Sequence, residues 1–274
     1  IENESGYEIP DREKRPAWFR EIVTGLPADA DAARARIAAR LKRVVVEHCL
    51  YGVDINPLAV ELARLALWIE TMDRDLPFEF LDHKLKCGNS LVGCWFDRFR
   101  HYPVMAWSRE GGDKDFNNFV HHFREHVAKS GKSKGEKKKE GDVWTAAIKE
   151  KRSQVIDDLS DCITGQLSMA RPAARLDPKK VHDEALALFN EMHAMPLFEA
   201  EARADFYWEK ILKSDSYVKL KSAFNAWCAL WFWPADELDK APMPHAFGSI
   251  DDTATAIVER LAAEHGFFHW ELEF

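Results

Sequence analysis

The reading of this chain turns on residues 50–68, LYGVDINPLAVELARLALW. Residues 50–54 form a short apolar run closed by an acid, Asp54, which suits a buried parallel strand whose carboxyl end carries a functional side chain. Asn56 and Pro57 then start a helix. Asn caps by accepting from an early backbone N–H, and Pro in the first turn supplies the right φ while lacking only a donor that would be orphaned there. Between Leu58 and Ile69 the only charges are Glu61 and Arg64, so this helix is expected to be covered on most sides.

After Pro77, residues 78–87 (FEFLDHKLKC) read as a second strand region, closed by Gly88, Asn89 and Ser90 and followed by Leu91 and Val92. A strand, a helix and a strand with tight connections make the building block of a parallel sheet. An acid at the carboxyl end of such a strand faces the crevice where nucleotides bind, and a carboxylate can accept from both hydroxyls of a ribose. Asp54 is therefore the candidate sugar ligand, Ile55 an apolar surface for an adenine ring, and Asn89 an amide for the polar edge of that adenine. Two plainer readings stand beside these: Asp54 as a cap for the helix that begins at Pro57, and Asn89 as an Asx-turn after Gly88.

Working outward, residues 29–48 read as a helix with Asp29 or Asp31 as cap and with Ile37, Leu41, Val44, Val45 and His48 spaced for one buried face. Residues 1–27 are polar, carry Pro10, Pro16 and Pro27, and read as irregular with a short helix around Trp18 and Phe19. From about Asp97 to Ala263 charged stretches with helical spacing replace the apolar runs, so a large helical insertion is expected. Within it, residues 129–140 hold six lysines against two acids and read as a mobile surface loop. Helical patterns follow over 179–193, 198–212 and 217–233, the last stopped by Pro234, and over 251–265 with Gly266 as its stop. Trp227, Trp231 and Trp233 stand on one helix near Phe224, and the spacing of four between Trp227 and Trp231 reads as a packed face. Phe268, Trp270, Leu272 and Phe274 alternate with His269, Glu271 and Glu273. That alternation is a strand signature, so the chain is expected to return to the sheet.

The whole chain has 274 residues, 46% of them apolar and 31% charged, with a formal charge of -8. That is enough for a proper core, and it excludes both a disordered tail and a protein built as a whole around a polyanion. Five cysteines without a CxxC pair fit reduced thiols, and neither an uninterrupted apolar span nor a hydrophobic leader appears in the sequence. A cytoplasmic location is the expectation.

Residues 50–93, with LYGVDINPLAVELARLALW followed by FLDHKLKCGNSLVG, resemble the large N6-adenine DNA methyltransferases, in particular the single-chain type IIG restriction-modification enzymes and related phage-defence methylases. The terminal FHWELEF (268–274) resembles the strand that leads, in that family, toward the catalytic Asn-Pro-Pro-aromatic motif. The resemblance implies an α/β fold: a partial Rossmann-like methyltransferase core with a large, mainly helical insertion. It divides the chain into an N-terminal segment (1–48), the partial core (49–96), the insertion (97–265) and a returning strand (266–274). It also implies an S-adenosylmethionine site with Asp54 on the ribose hydroxyls, Ile55 against the adenine, Asn89 at the adenine edge and Ser90 in the same loop. Double-stranded DNA would be the partner of the parent enzyme.

The family's glycine turn and catalytic motif have no counterpart here. None of the thirteen glycines forms a G-x-G pair, and the only Asn-Pro is Asn56-Pro57, followed by Leu58. Methylating an adenine amine requires extruding the base and holding it by polar contacts and an aromatic stack. The chain opens on Ile1 and ends while still patterned. It therefore reads as the portion between those two motifs, with no catalytic residue of its own, no methyltransferase activity alone, and at best weak cofactor affinity.

Two other classes compete. His122, Glu125 and His126 fit H-x-x-E-H, the pattern of a zinc peptidase, in which two histidines one helical turn apart share a metal beside a carboxylate base. Alternatively the chain is a helical interaction module whose lysine-rich segment touches DNA phosphates. An apolar face left without its parent segments could also drive self-association.

Overall fold

The computed structural model describes residues 22–72, 81–99, 101–108, 131–164, 178–196, 199–246 and 250–274. The region around Trp18 and Phe19 and the His122/Glu125/His126 motif lie outside the described residues.

Helix α1, Ala30–Cys49, begins at Asp29, whose side chain accepts from the Ala32 N–H at 2.8 Å. Its inward face differs from the expected stripe. Arg43, Val46 and Glu47 are buried, while Leu41, Val45 and His48 are exposed. The displacement has an electrostatic cause: Glu47 meets His83 and Arg203 in the interior, and those partners turn a charged position inward.

Strand β1, Gly52–Asp54, and strand β2, Leu85–Cys87, pair in parallel with Gly52 opposite Leu85, Val53 opposite Lys86 and Asp54 opposite Cys87. Between them runs α2, Pro57–Thr71, capped by Asn56, whose Oδ1 accepts from the Leu58 N–H at 3.0 Å. Arg64 anchors α2 on β2 by donating to the Leu85 carbonyl and pairing with Asp82 at 2.9 Å. Strand β2 begins only at Leu85, because residues 82–84 form a turn; the part of the expected segment over 78–80 lies outside the described residues. The expectation that α2 is covered on most sides does not hold. Val60 is buried, but Leu58, Leu62, Leu65 and Ile69 keep half or more of their surface open.

Every described element from α3, Phe96–Phe99, onward is helical. A 3₁₀ turn at Val104–Ser108 precedes α4, Lys134–Thr164, and α5, Pro178–Ala194. Then come α6, Ala200–Asp205, which runs on as a π-helical turn over Phe206–Ile211, and α7, Asp215–Ala229. Helix α8, Asp252–His265, is capped by Asp251 and stopped by Gly266 in the left-handed region at φ 62°, a conformation that costs glycine nothing. The lysine-rich loop expected over 129–140 is corrected from Lys134 onward, where the chain is helical. Ser133 and Glu136 form a capping box. The Ser133 backbone N–H donates to Glu136 Oε2 at 3.0 Å, and the Glu136 N–H donates back to Ser133 Oγ at 3.4 Å. Two orphan donors are satisfied together, and lysine is a good helix former once the first turn is fixed.

The core lies among these helices, around the fully buried Trp107, Trp233, Phe224, Leu220, Ile211 and Met192. Trp227 and Trp231 pack against it with ring centroids 5.9 Å apart, as a packed face rather than a free stacking surface. After Gly266 the chain returns to the sheet at one point, a parallel bridge between Phe267 and Asn89. The strand expected over 268–274 is not formed, since Trp270–Glu273 is a short helix, α9. The alternation misleads because His269 and Glu273 are buried beside Leu272, so the inward residues follow helical spacing and include two polar ones. Among the described residues no helix is long and apolar enough to cross a membrane.

Candidate functional site

Parallel pairing sends β1 and β2 out of the sheet at the same end. Asp54 is the last residue of β1, and Asn89 follows β2 by two positions. The Gly88 N–H donates to the Asp54 carbonyl at 2.9 Å, and the Asn89 N–H donates to the Gly266 carbonyl at 2.6 Å. The turn after β2 is thereby held between the end of β1 and the end of α8.

Asp54 does not cap α2, since Asn56 does. Asp54 Oδ1 accepts from the Asn56 N–H at 2.7 Å and so braces the cap residue, an Asx-turn that leaves the second oxygen without a hydrogen bond among the described residues. Ile55 is 62% exposed beside it. Asn89 forms the Asx-turn named as its plainer reading, with Oδ1 accepting from the Leu91 N–H at 3.0 Å, and its NH₂ group keeps two donors. Ser90 is exposed, and its carbonyl accepts from the Trp270 indole at 3.1 Å. The four expected residues thus share one end of the strand pair. A carboxylate acceptor, an exposed apolar side chain and an amide donor are presented there, groups able to meet a diol, a ring face and a ring edge.

The turn holding Asn89 is seated on the C-terminal segment through Gly93. A Cβ there would lie 1.9 Å from the Phe268 carbonyl oxygen, and the Phe268 N–H donates to the Val92 carbonyl at 2.9 Å. His269 fixes the next step: its Nδ1 accepts from the Cys94 N–H at 3.1 Å, and its Nε2 meets Asn225 Oδ1 at 2.8 Å. Those contacts require a neutral ring, and burial depresses its pKa to about 4.

At the other end of the strands lies a cavity of about 390 Å³, lined by Tyr51, His83, Phe96, Phe189, His193 and Phe274 among others. Tyr51 and His83 precede their strands, whereas Asp54 ends β1 and Asn89 follows β2, and none of Asp54, Ile55, Asn89 and Ser90 lines this cavity, which is separate from the crevice. Two buried ionic clusters that sequence reasoning missed flank it. In one, Glu273 is bound by Lys86 at 2.7 Å, Tyr217 at 2.8 Å and Lys221 at 2.9 Å. Burial alone would raise the Glu273 carboxyl, but the two ammonium groups outweigh it and hold it down at about 2. In the other, Glu47 accepts from His83 Nε2 at 3.1 Å and is ion-paired with Arg203. Burial again works against ionisation, and the contacts with His83 and the permanently charged Arg203 bring Glu47 to about 2. Burial pushes His83 down, and His193 down to about 4. One potential ligand atom from each of Glu47, His83 and His193 lies within 4.8 Å of the others. Their separation along the chain hides this trio from any motif search.

Comparison with known proteins bears on the same region. No solved structure matches the chain. A protein of Methanocaldococcus jannaschii described as a type II restriction enzyme and methyltransferase is 40% identical over 62 residues, which covers 19% of this chain and 5% of that protein. The chain therefore corresponds to a small part of that relative's length. Residues 48–160, from the end of α1 through the crevice and into α4, match the Eco57I restriction-modification methylase family.

Proposed function

We propose that this chain is a portion of a DNA adenine-N6 methyltransferase of the restriction-modification or phage-defence type, carrying part of its S-adenosylmethionine site. The observation that carries the reading is the parallel register that puts Asp54 and Asn89 at one end of neighbouring strands, where open α/β sheets bind nucleotides. The methylase family match over residues 48–160 supports the reaction class. The two-stranded unit would be the remnant of a Rossmann-like sheet, and the helices from α3 to α8 its insertion.

In this reading Asp54 accepts from the ribose hydroxyls, Ile55 covers one face of the adenine, and Asn89 donates toward the adenine edge with Ser90 beside it. The cofactor, when bound, supplies the methyl group. The chain's own residues bind and orient its nucleoside half. Extruding a base from double-stranded DNA and holding its amine would fall to an Asn-Pro-Pro motif, which this sequence does not contain.

Calorimetry with S-adenosylmethionine and a methyl-transfer assay on adenine-containing duplex DNA test the proposal together. The expected result is weak binding, lowered roughly tenfold or more in Asp54→Ala by loss of a charge-assisted hydrogen bond, and no transfer to DNA. Binding that ignores Asp54→Ala, or turnover by this chain alone, would overturn it.

A further inference from the structure

We propose that Glu47, His83 and His193 form a transition-metal site, suited to Zn²⁺, that joins α1 and the turn before β2 to α5. Glu47 and His83 stand on the partial core and its leading helix, whereas His193 belongs to the last turn of α5. A shared ion would couple the crevice-bearing strands to the helical region.

The donor set is two imidazoles and a carboxylate, a combination that holds zinc with one position left open. Adjacent ligands on tetrahedral zinc stand roughly 3.4 Å apart at ordinary bond lengths, and His83 Nε2 lies 3.1 Å from Glu47 Oε1, against the carboxylate whose second oxygen, Oε2, is the one left to the ion. One ligand atom of His193 lies within 4.8 Å of the other two, so closing the set needs a shift of about 1 Å, within reach of a rotamer change. Glu47 Oε2 and His193 Nε2 are both buried without a hydrogen-bond partner among the described residues. Orphaned buried polar atoms are costly and uncommon, and an ion would satisfy both at once. Arg203 occupies one side of the Glu47 carboxylate and Lys84 lies near both histidines, so the ion enters between existing cations and uses the oxygen that Arg203 leaves. His83 and His193 also line the 390 Å³ cavity, which provides both a path for the ion and room for a water at the fourth position.

The test uses the whole chain, stripped with chelator and then given Zn²⁺ or Co²⁺ alone. The wild type should retain one equivalent of Zn²⁺ through gel filtration, melt at higher temperature with zinc than without, and give the visible absorption of four-coordinate Co²⁺. His193→Ala, checked for its fold by circular dichroism, should lose the equivalent and the zinc-dependent rise in melting temperature. A His122→Ala/His126→Ala double variant should keep both. No retained metal and no Co²⁺ band in the wild type would overturn the site, as would loss of metal in the His122/His126 variant with retention in His193→Ala. If His193→Ala does not fold, His193→Gln takes its place: the Co²⁺ band should be lost there and kept in the His122/His126 variant, and the reverse would overturn the site.

Discussion

Lys86 Nζ lies 2.7 Å from Glu273 Oε2 and 2.7 Å from the Glu273 carbonyl oxygen, a buried contact between residues 187 positions apart. It ties the middle of β2 to the last helix of the chain. Tyr217 and Lys221 of α7 close the other carboxylate oxygen. Lys86→Met should leave that carboxylate buried with less compensation and cost about 3–5 kcal/mol in denaturant unfolding. Lys86→Met/Glu273→Met should be more stable than the single variant. A loss below about 1 kcal/mol in Lys86→Met would show that the pair contributes little.

Stability should fall on mild acidification. The folded pKa values of His193 and His269 are depressed to about 4 from 6.5, and His83 moves in the same direction. The unfolded chain therefore binds more protons than the folded one between about pH 6.5 and 4, so stability present above that range is lost as pH drops through it. Glu47 and Glu273, lowered from 4.5 to about 2, carry the loss further, from about pH 4.5 downward. Urea melts between pH 7.5 and 3.5 measure the slope, and a flat profile from pH 7 to 5 would contradict the neutral buried imidazoles.

Gly93→Ala should loosen the turn that carries Asn89. The added methyl would sit 1.9 Å from a backbone oxygen of Phe268, which no side-chain rotation relieves. A cost of about 1–3 kcal/mol or more is expected, with faster amide exchange at Phe268, whose N–H depends on the Val92 carbonyl. Unchanged exchange there would mean that the two segments are not locked together.

Ser133→Ala should unravel the first turn of α4. It removes the hydroxyl that accepts from the Glu136 N–H and bonds Glu136 Oε2 at 2.6 Å, a loss worth about 1 kcal/mol locally. Hydrogen exchange over residues 134–138 should accelerate while α7 and α8 stay protected. Equal exchange in both proteins would argue against the capping box.

These elements show which features were legible in the sequence. Helix ends were, because caps are local chemistry: Asp29, Asn56 and Gly266 stand where side-chain acceptors or a left-handed residue require them. The strand carrying Asp54 was legible for the same reason, as a short apolar run next to a helix start. The lysine-rich segment was misread by its charge, although Ser133 and Glu136 spell the capping box in plain sequence. Other features were set by distant partners. Glu47 turns inward for His83 and Arg203, and Glu273 for Lys86 and Lys221, so the apolar stripe of α1 and the alternation over 268–274 pointed to the wrong faces. The open side of α2 was missed because an apolar helix surface does not reveal what it packs against.

Mapping by amide NMR the residues of this chain that respond to S-adenosylmethionine is the most direct test of the crevice. The amides of Asp54, Ile55, Asn89 and Ser90 should shift together as the ligand is raised to millimolar concentration, and Asp54→Ala should abolish those shifts. Shifts gathered instead around Tyr51 and His193, at the opposite end of the strands, or none at any concentration, would contradict it.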